Sequence, residues 1–109
     1  MNDALRISRA RRNVEFGMFI NRIVEHPGKI SKPVTRQLAK YKRQFEASVS
    51  DRILGELIES HLRVLEQVEI YVKARNAGDE LNEKRYLNES VRLWEEGDLI
   101  ATRIAEELS

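Results

Sequence analysis

The sequence predicts an all-α protein: a three- or four-helix antiparallel bundle with long C-terminal helices, completed by homo-oligomerisation. Three observations carry that expectation. Apolar residues recur at intervals of three and four, with no alternating run of strand length. Only five Gly and two Pro interrupt 109 residues, so loops are few and helices long. Aromatics make up 6% and charged residues 34%, and the chain is rich in helix-compatible Leu, Ile, Arg and Glu.

A chain of this length is one domain, or one protomer, able to bury roughly two-thirds of its unfolded surface. It contains no Cys, which excludes a disulfide framework, a thiolate zinc site and a Cys nucleophile, and fits a reducing compartment. No window approaches the roughly 18 apolar residues of a membrane span, and no apolar stretch follows the first charges. The expectation is a cytoplasmic protein without a membrane partner.

Within the single domain, residues 1–12 read as a basic arm, 13–48 as a basic helical hairpin and 51–109 as an acidic helical pair. The first helix is anchored by Phe16, Phe19, Ile20, Ile23 and Val24, a stripe at i, i+3, i+4, i+7 and i+8. Asn13 is its expected N-cap, with Glu15 in the first turn. Were it to begin near residue 5, Arg9 and Arg12 would fall in line with the Phe stripe. His26-Pro27-Gly28 breaks the pattern. Pro33 suits the first turn of a second helix, capped by Ser31, with Val34, Leu38, Tyr41 and Phe45 along one face.

Ser48 and Asp51 resemble a capping box that restarts the chain as a third helix over about 51–76. There Leu54, Leu57, His61, Val64, Val68 and Tyr71 run in a 3,4,3,4,3 rhythm beside Ile58, Leu62, Leu65 and Val72. A face that wide exceeds what one neighbour needs, which predicts a bundle or a seam between copies. Asn76-Ala77-Gly78-Asp79 ends this helix and Asp79 caps the next. The last segment carries Leu87, Val91, Trp94, Ala101 and Leu108, with Gly97 expected to kink or end it. The expected oligomer interface is Leu54, Leu57, His61, Val64, Val68 and Trp94.

Net charge is +1, but it is divided. Residues 1–50 hold eleven Lys/Arg against four Asp/Glu, a net +7; residues 51–109 hold eight against fourteen, a net −6. A basic half meets phosphate or an acidic protein. Its cations fall into two groups. Arg6, Arg9, Arg11 and Arg12 precede the first apolar stripe. Arg36, Lys40 and Arg43 lie opposite the apolar face of the second helix, at the same spacing. Cations along one face neutralise a phosphate backbone, and Arg9, Arg11, Arg12, Arg36, Lys40 and Arg43 are the candidate binding residues.

His61 and Asp98 could form a buried pair between the last two helices, or Asp98 could cap a helix after Gly97. Glu66 and Glu69, and Glu95 and Asp98, give two acidic i, i+3 pairs on consecutive helices. Four such carboxylates could hold Mg²⁺ and, through it, a triphosphate. Leu65-Glu66…Glu69-Ile70 and Glu96-Gly97-Asp98-Leu99 resemble pieces of the two motifs of MazG-type nucleotide pyrophosphohydrolases. Leu65 stands where that family doubles its first acid. The resemblance implies an all-helical Mg²⁺-dependent enzyme with Glu66, Glu69, Glu95 and Asp98 as metal ligands.

The leading expectation is nevertheless a non-enzymatic regulatory protein without cofactor. Its basic half would contact DNA or RNA backbone, and its C-terminal helices would self-associate. The alternatives are an adaptor or inhibitor that binds an acidic protein without nucleic acid, and the MazG-like enzyme.

Overall fold

The computed structural model describes the backbone of residues 3–108 and the side chains of residues 14–107. Within those bounds the chain is all-helical: α1 (Asp3–Glu25), α2 (Lys32–Ser48), α3 (Gly55–Ala77) and α4 (Glu80–Leu108). Its principal extents are 48 × 25 × 22 Å. The long dimension matches the 29 residues of α4, which rise about 43 Å at 1.5 Å each.

α1 begins at Asp3 rather than at a cap on Asn13, which lies inside it. Its stripe behaves as the spacing predicts: Phe16, Ile20 and Ile23 are buried, with Phe19 and Val24 half-buried. Gly28, at φ 79°, turns the chain after Pro27. Ser31 occupies the N-cap position of α2 in extended conformation but makes no side-chain cap. The first turn is closed instead by Thr35, whose N–H donates to the Ser31 carbonyl and whose hydroxyl donates to Lys32.

Between α2 and α3 the expected capping box is replaced by Asp51 alone. Its Oδ1 accepts from the N–H groups of Ile53 and Leu54 at 2.8 Å, ordering a turn that delays α3 to Gly55. α3 ends as its sequence requires. Gly78 adopts φ 74°, a left-handed conformation open to glycine, and its N–H and that of Asp79 close on Arg75 and Ala74. Asp79 then caps α4 through the Asn82 N–H.

α3 packs most closely against α4 and next against α2. Arg75 meets Glu83, Ser60 lies against Gly97, and Glu56 pairs with Arg103. Moving back along α3 is thus moving forward along α4, so this pair is antiparallel. α4 is unbroken through Gly97. That residue is buried, and a Cβ there would stand 3.0 Å from Ser60 Oγ. Gly97 serves close approach of two helices, not a bend. The buried face of α4 is centred on Ser90, Leu93, Gly97 and Ile104; of the expected line Leu87 and Trp94 are half-buried at its edge and Val91 is exposed.

Around Phe16, which is fully buried, rings from the other three helices converge. Its centroid is 5.2 Å from Tyr41, 4.9 Å from Phe45, 4.9 Å from His61 and 5.8 Å from Trp94. His61 stacks on Trp94 with an interplanar angle of 15°. Residues expected at an oligomer seam are therefore inside the chain: Leu57, His61, Val64 and Val68 are buried, and Leu54 and Trp94 are half-buried against the core. The wide face of α3 is filled by this protein's own helices.

At the other end two residues of α3 act as a tie. Asn76 Oδ1 accepts from the Ile30 N–H at 2.7 Å and its Nδ2 donates to the Ile30 carbonyl at 3.1 Å, fixing the α1–α2 loop. Arg75 Nη1 donates to the Tyr71 hydroxyl at 2.8 Å and reaches the Ile23 carbonyl at 3.4 Å, while Nε faces Glu83. A cation at the C-terminus of α1 meets the negative end of its dipole.

Two expectations follow. Burial among rings pushes the His61 pKa from 6.5 down to about 4. The unfolded chain binds this proton first, so the stability tied to neutral His61 is whole above pH 6.5 and is lost as pH falls toward 4. Chemical denaturation across that window should show wild type losing about 3 kcal/mol relative to His61→Phe. Asn76→Ala strands the N–H of the buried Ile30 and should lower the unfolding free energy by about 1–3 kcal/mol, read from the same titrations at pH 7.

Candidate nucleic-acid interface

The amphipathic period of α2 decides which of its residues reach solvent. Leu38 and Phe45 are buried, Val34 and Tyr41 half-buried, and all four point toward α1 and α3. At 100° per residue, Arg36, Lys40 and Arg43 must then lie on the outward side, and all three are exposed. Lys32 shares their face one turn earlier, and Lys29 is exposed in the loop before it.

These three cations share one exposed face of one helix and make no ion pair among the described residues. Elsewhere Lys42 meets Glu69 at 4.0 Å, Arg75 meets Glu83, Arg92 bridges Glu89 and Glu96, and Arg103 bridges Glu56 and Glu107. Hydrogen bonding from Arg92 holds the Glu89 carboxyl below its usual range. Among the described residues, no ion pair involves Arg36, Lys40 or Arg43. The acid on α2 itself, Glu46, is exposed at the flank of the stripe, one turn after Arg43.

Other expected sites fare differently. The side chains of Arg6, Arg9, Arg11 and Arg12 lie outside the described residues. Asp98 is exposed in mid-helix, with its carbonyl accepting from Thr102; it neither caps a helix nor meets the buried His61. Glu66 and Glu95 face solvent, and Glu69 turns to Lys42 of α2 rather than toward α4. Among the described residues, no three His, Asp or Glu come close enough to share a metal ion. The four carboxylates of the MazG resemblance are thus not assembled: antiparallel pairing sets Glu69 and Glu95 about two turns apart along the axes, and their faces diverge.

The aromatic residues offer nothing to a base. All seven fall in the described part of the chain; Phe16, Phe45 and Tyr71 are buried, and Phe19, Tyr41, Tyr86 and Trp94 are half-buried against the core. Sequence reasoning found the α2 stripe but missed the Arg75–Asn76 tie that holds the α1–α2 loop; a polar pair just before a Gly-Asp break was its only signal. Among the described residues, no helix is long and apolar enough to cross a membrane. Comparison with family models, with curated proteins and with solved structures finds no match.

Because the three cations make no hydrogen bond or ion pair among the described residues, their removal should leave the fold intact. An Arg36/Lys40/Arg43→Ala triple variant should unfold within about 1 kcal/mol of wild type by denaturant titration, as surface changes away from packed features do.

Proposed function

We propose that this protein is a four-helix antiparallel bundle that binds nucleic-acid backbone through the outward face of α2, without catalysing a reaction. One observation carries the reading: Arg36, Lys40 and Arg43 stand in line on one helix, exposed, and free of ion pairs among the described residues. Carboxylates engage Arg92 and Arg103 of α4, so those two cations are engaged within the fold. The α2 cations are available to a polyanion, with counterion release as the driving force. The reading does not draw on self-association through α3, whose Leu57, His61, Val64 and Val68 are buried within the chain.

Fluorescence anisotropy with labelled nucleic acid across 50–200 mM salt tests the proposal. Each phosphate contact contributes about −0.9 to the slope of log K against log salt, so the triple Ala variant should flatten the slope by about 2.7. Absence of binding at 50 mM salt would remove this function.

A further inference from the structure

We infer that the α2 face selects double-stranded over single-stranded nucleic acid, an assignment that rests on the backbone-binding role just proposed and narrows it. Single strands are held by grooves that follow the backbone and by aromatic faces on which bases stack, each stacked base adding about 1–3 kcal/mol. No Phe, Tyr or Trp stands free of the core on the α2 face, and the one exposed ring near it is the His26 imidazole in the α1–α2 loop. Every Phe, Tyr and Trp is buried or packed against the core, and the rings of α2 are committed to one another and to α1: Tyr41 lies 5.2 Å from both Phe16 and Phe19 and stacks on Phe45.

The cations, moreover, are arranged on a ridge and not in a groove. Lys32, Arg36, Lys40 and Arg43 follow the outward side of a 17-residue helix, at axial intervals of about 6, 6 and 4.5 Å. A flexible strand must be ordered along this row before its phosphates meet all four cations, at a cost in chain entropy that no groove on α2 offsets. A duplex presents its phosphates already ordered, one per about 1.7 Å of axis counting both strands, so about 16 Å of duplex carries roughly ten phosphates from which the four cations can meet about four. With stacking unavailable, affinity follows linear charge density, which is about twofold greater in the duplex. Glu46, exposed beside Arg43, is the one acid on α2 and opposes the contact.

The experiment is anisotropy with a labelled 20-base-pair DNA duplex and, separately, with each of its strands, chosen so that neither folds on itself. At 100 mM salt the duplex should bind about tenfold tighter than either strand. With four phosphates neutralised, its salt slope should be about −3.6 and that of a strand about −2.8. Glu46→Gln, an exposed change that keeps the helix, should tighten duplex binding about two- to threefold. Equal or tighter binding of the strands overturns the duplex preference while leaving the backbone-binding role in place. Absence of binding to both probes at 50 mM salt overturns the two together. Unchanged or weaker duplex binding by Glu46→Gln places the contact away from this face.

Discussion

Phe16 is the residue on which the arrangement of the four helices depends. Its ring touches Tyr41 and Phe45 from α2, His61 from α3 and Trp94 from α4, and none of it reaches solvent. Tilted and edge-on aromatic contacts of this kind add about 0.5–1.5 kcal/mol each beyond the area they bury. In a chain with so few aromatics, concentrating five rings at one level makes that level the reference for all four helix positions. It also dictates local sequence. Gly17 follows Phe16 because the Trp94 indole already lies 3.0 Å from where a Cβ would stand. His61 must be held neutral there, since apolar rings replace the water that would solvate its charge.

The second anchor lies at the opposite end of α1, where Arg75 and Asn76 hold the Ile23 carbonyl and the Ile30 backbone. Between the ring cluster and this tie, α1 and the loop after it are fixed at two heights, and α2 is fixed by Leu38 and Phe45. The exposure of the basic stripe is a by-product of that constraint. A helix with 3.6 residues per turn cannot bury positions 38 and 45 without turning 36, 40 and 43 outward. The candidate interface is therefore positioned by the core, not by any contact of its own.

Much of this was legible in the chain. The stripes of α1, α2 and α3 were plain because their buried positions are large and apolar, and Gly78 and Asp79 marked a boundary through turn chemistry that needs no tertiary context. α4 misled for a physical reason. Its contact with α3 is made partly by Ser90 and Gly97, which are small so that backbones can approach, and hydrophobic periodicity gives no weight to small residues. The visible pattern of Leu87, Val91 and Trp94 marks only the edge of that face, with Leu87 and Trp94 packed against the core and Val91 exposed, and Gly97 within it reads as a break. The start of α1 was obscured because charged residues over its first turns hide helical continuation. The acidic pairs Glu66/Glu69 and Glu95/Asp98 were real as spacings, yet spacing within a helix says nothing of how two helices are phased against each other. The α2 stripe was legible because its two faces are specified together within 17 residues.

A net charge of +1 suggests a molecule nearly indifferent to an electric field. The distribution over the helices says otherwise. α2 carries five Lys/Arg against one Glu, and α4 carries four against eight acids, with α3 packed against both. At 0.1 M salt a charge is screened within about 10 Å, whereas the cross-section measures 25 × 22 Å. The acids on the outer face of α4 thus do little to cancel the potential directly in front of the Arg36–Lys40–Arg43 row, and the net charge understates the charge each surface presents. Such a body has a transverse dipole moment and rotates in the field of a polyelectrolyte before contact, so that encounter is oriented even though overall attraction is weak.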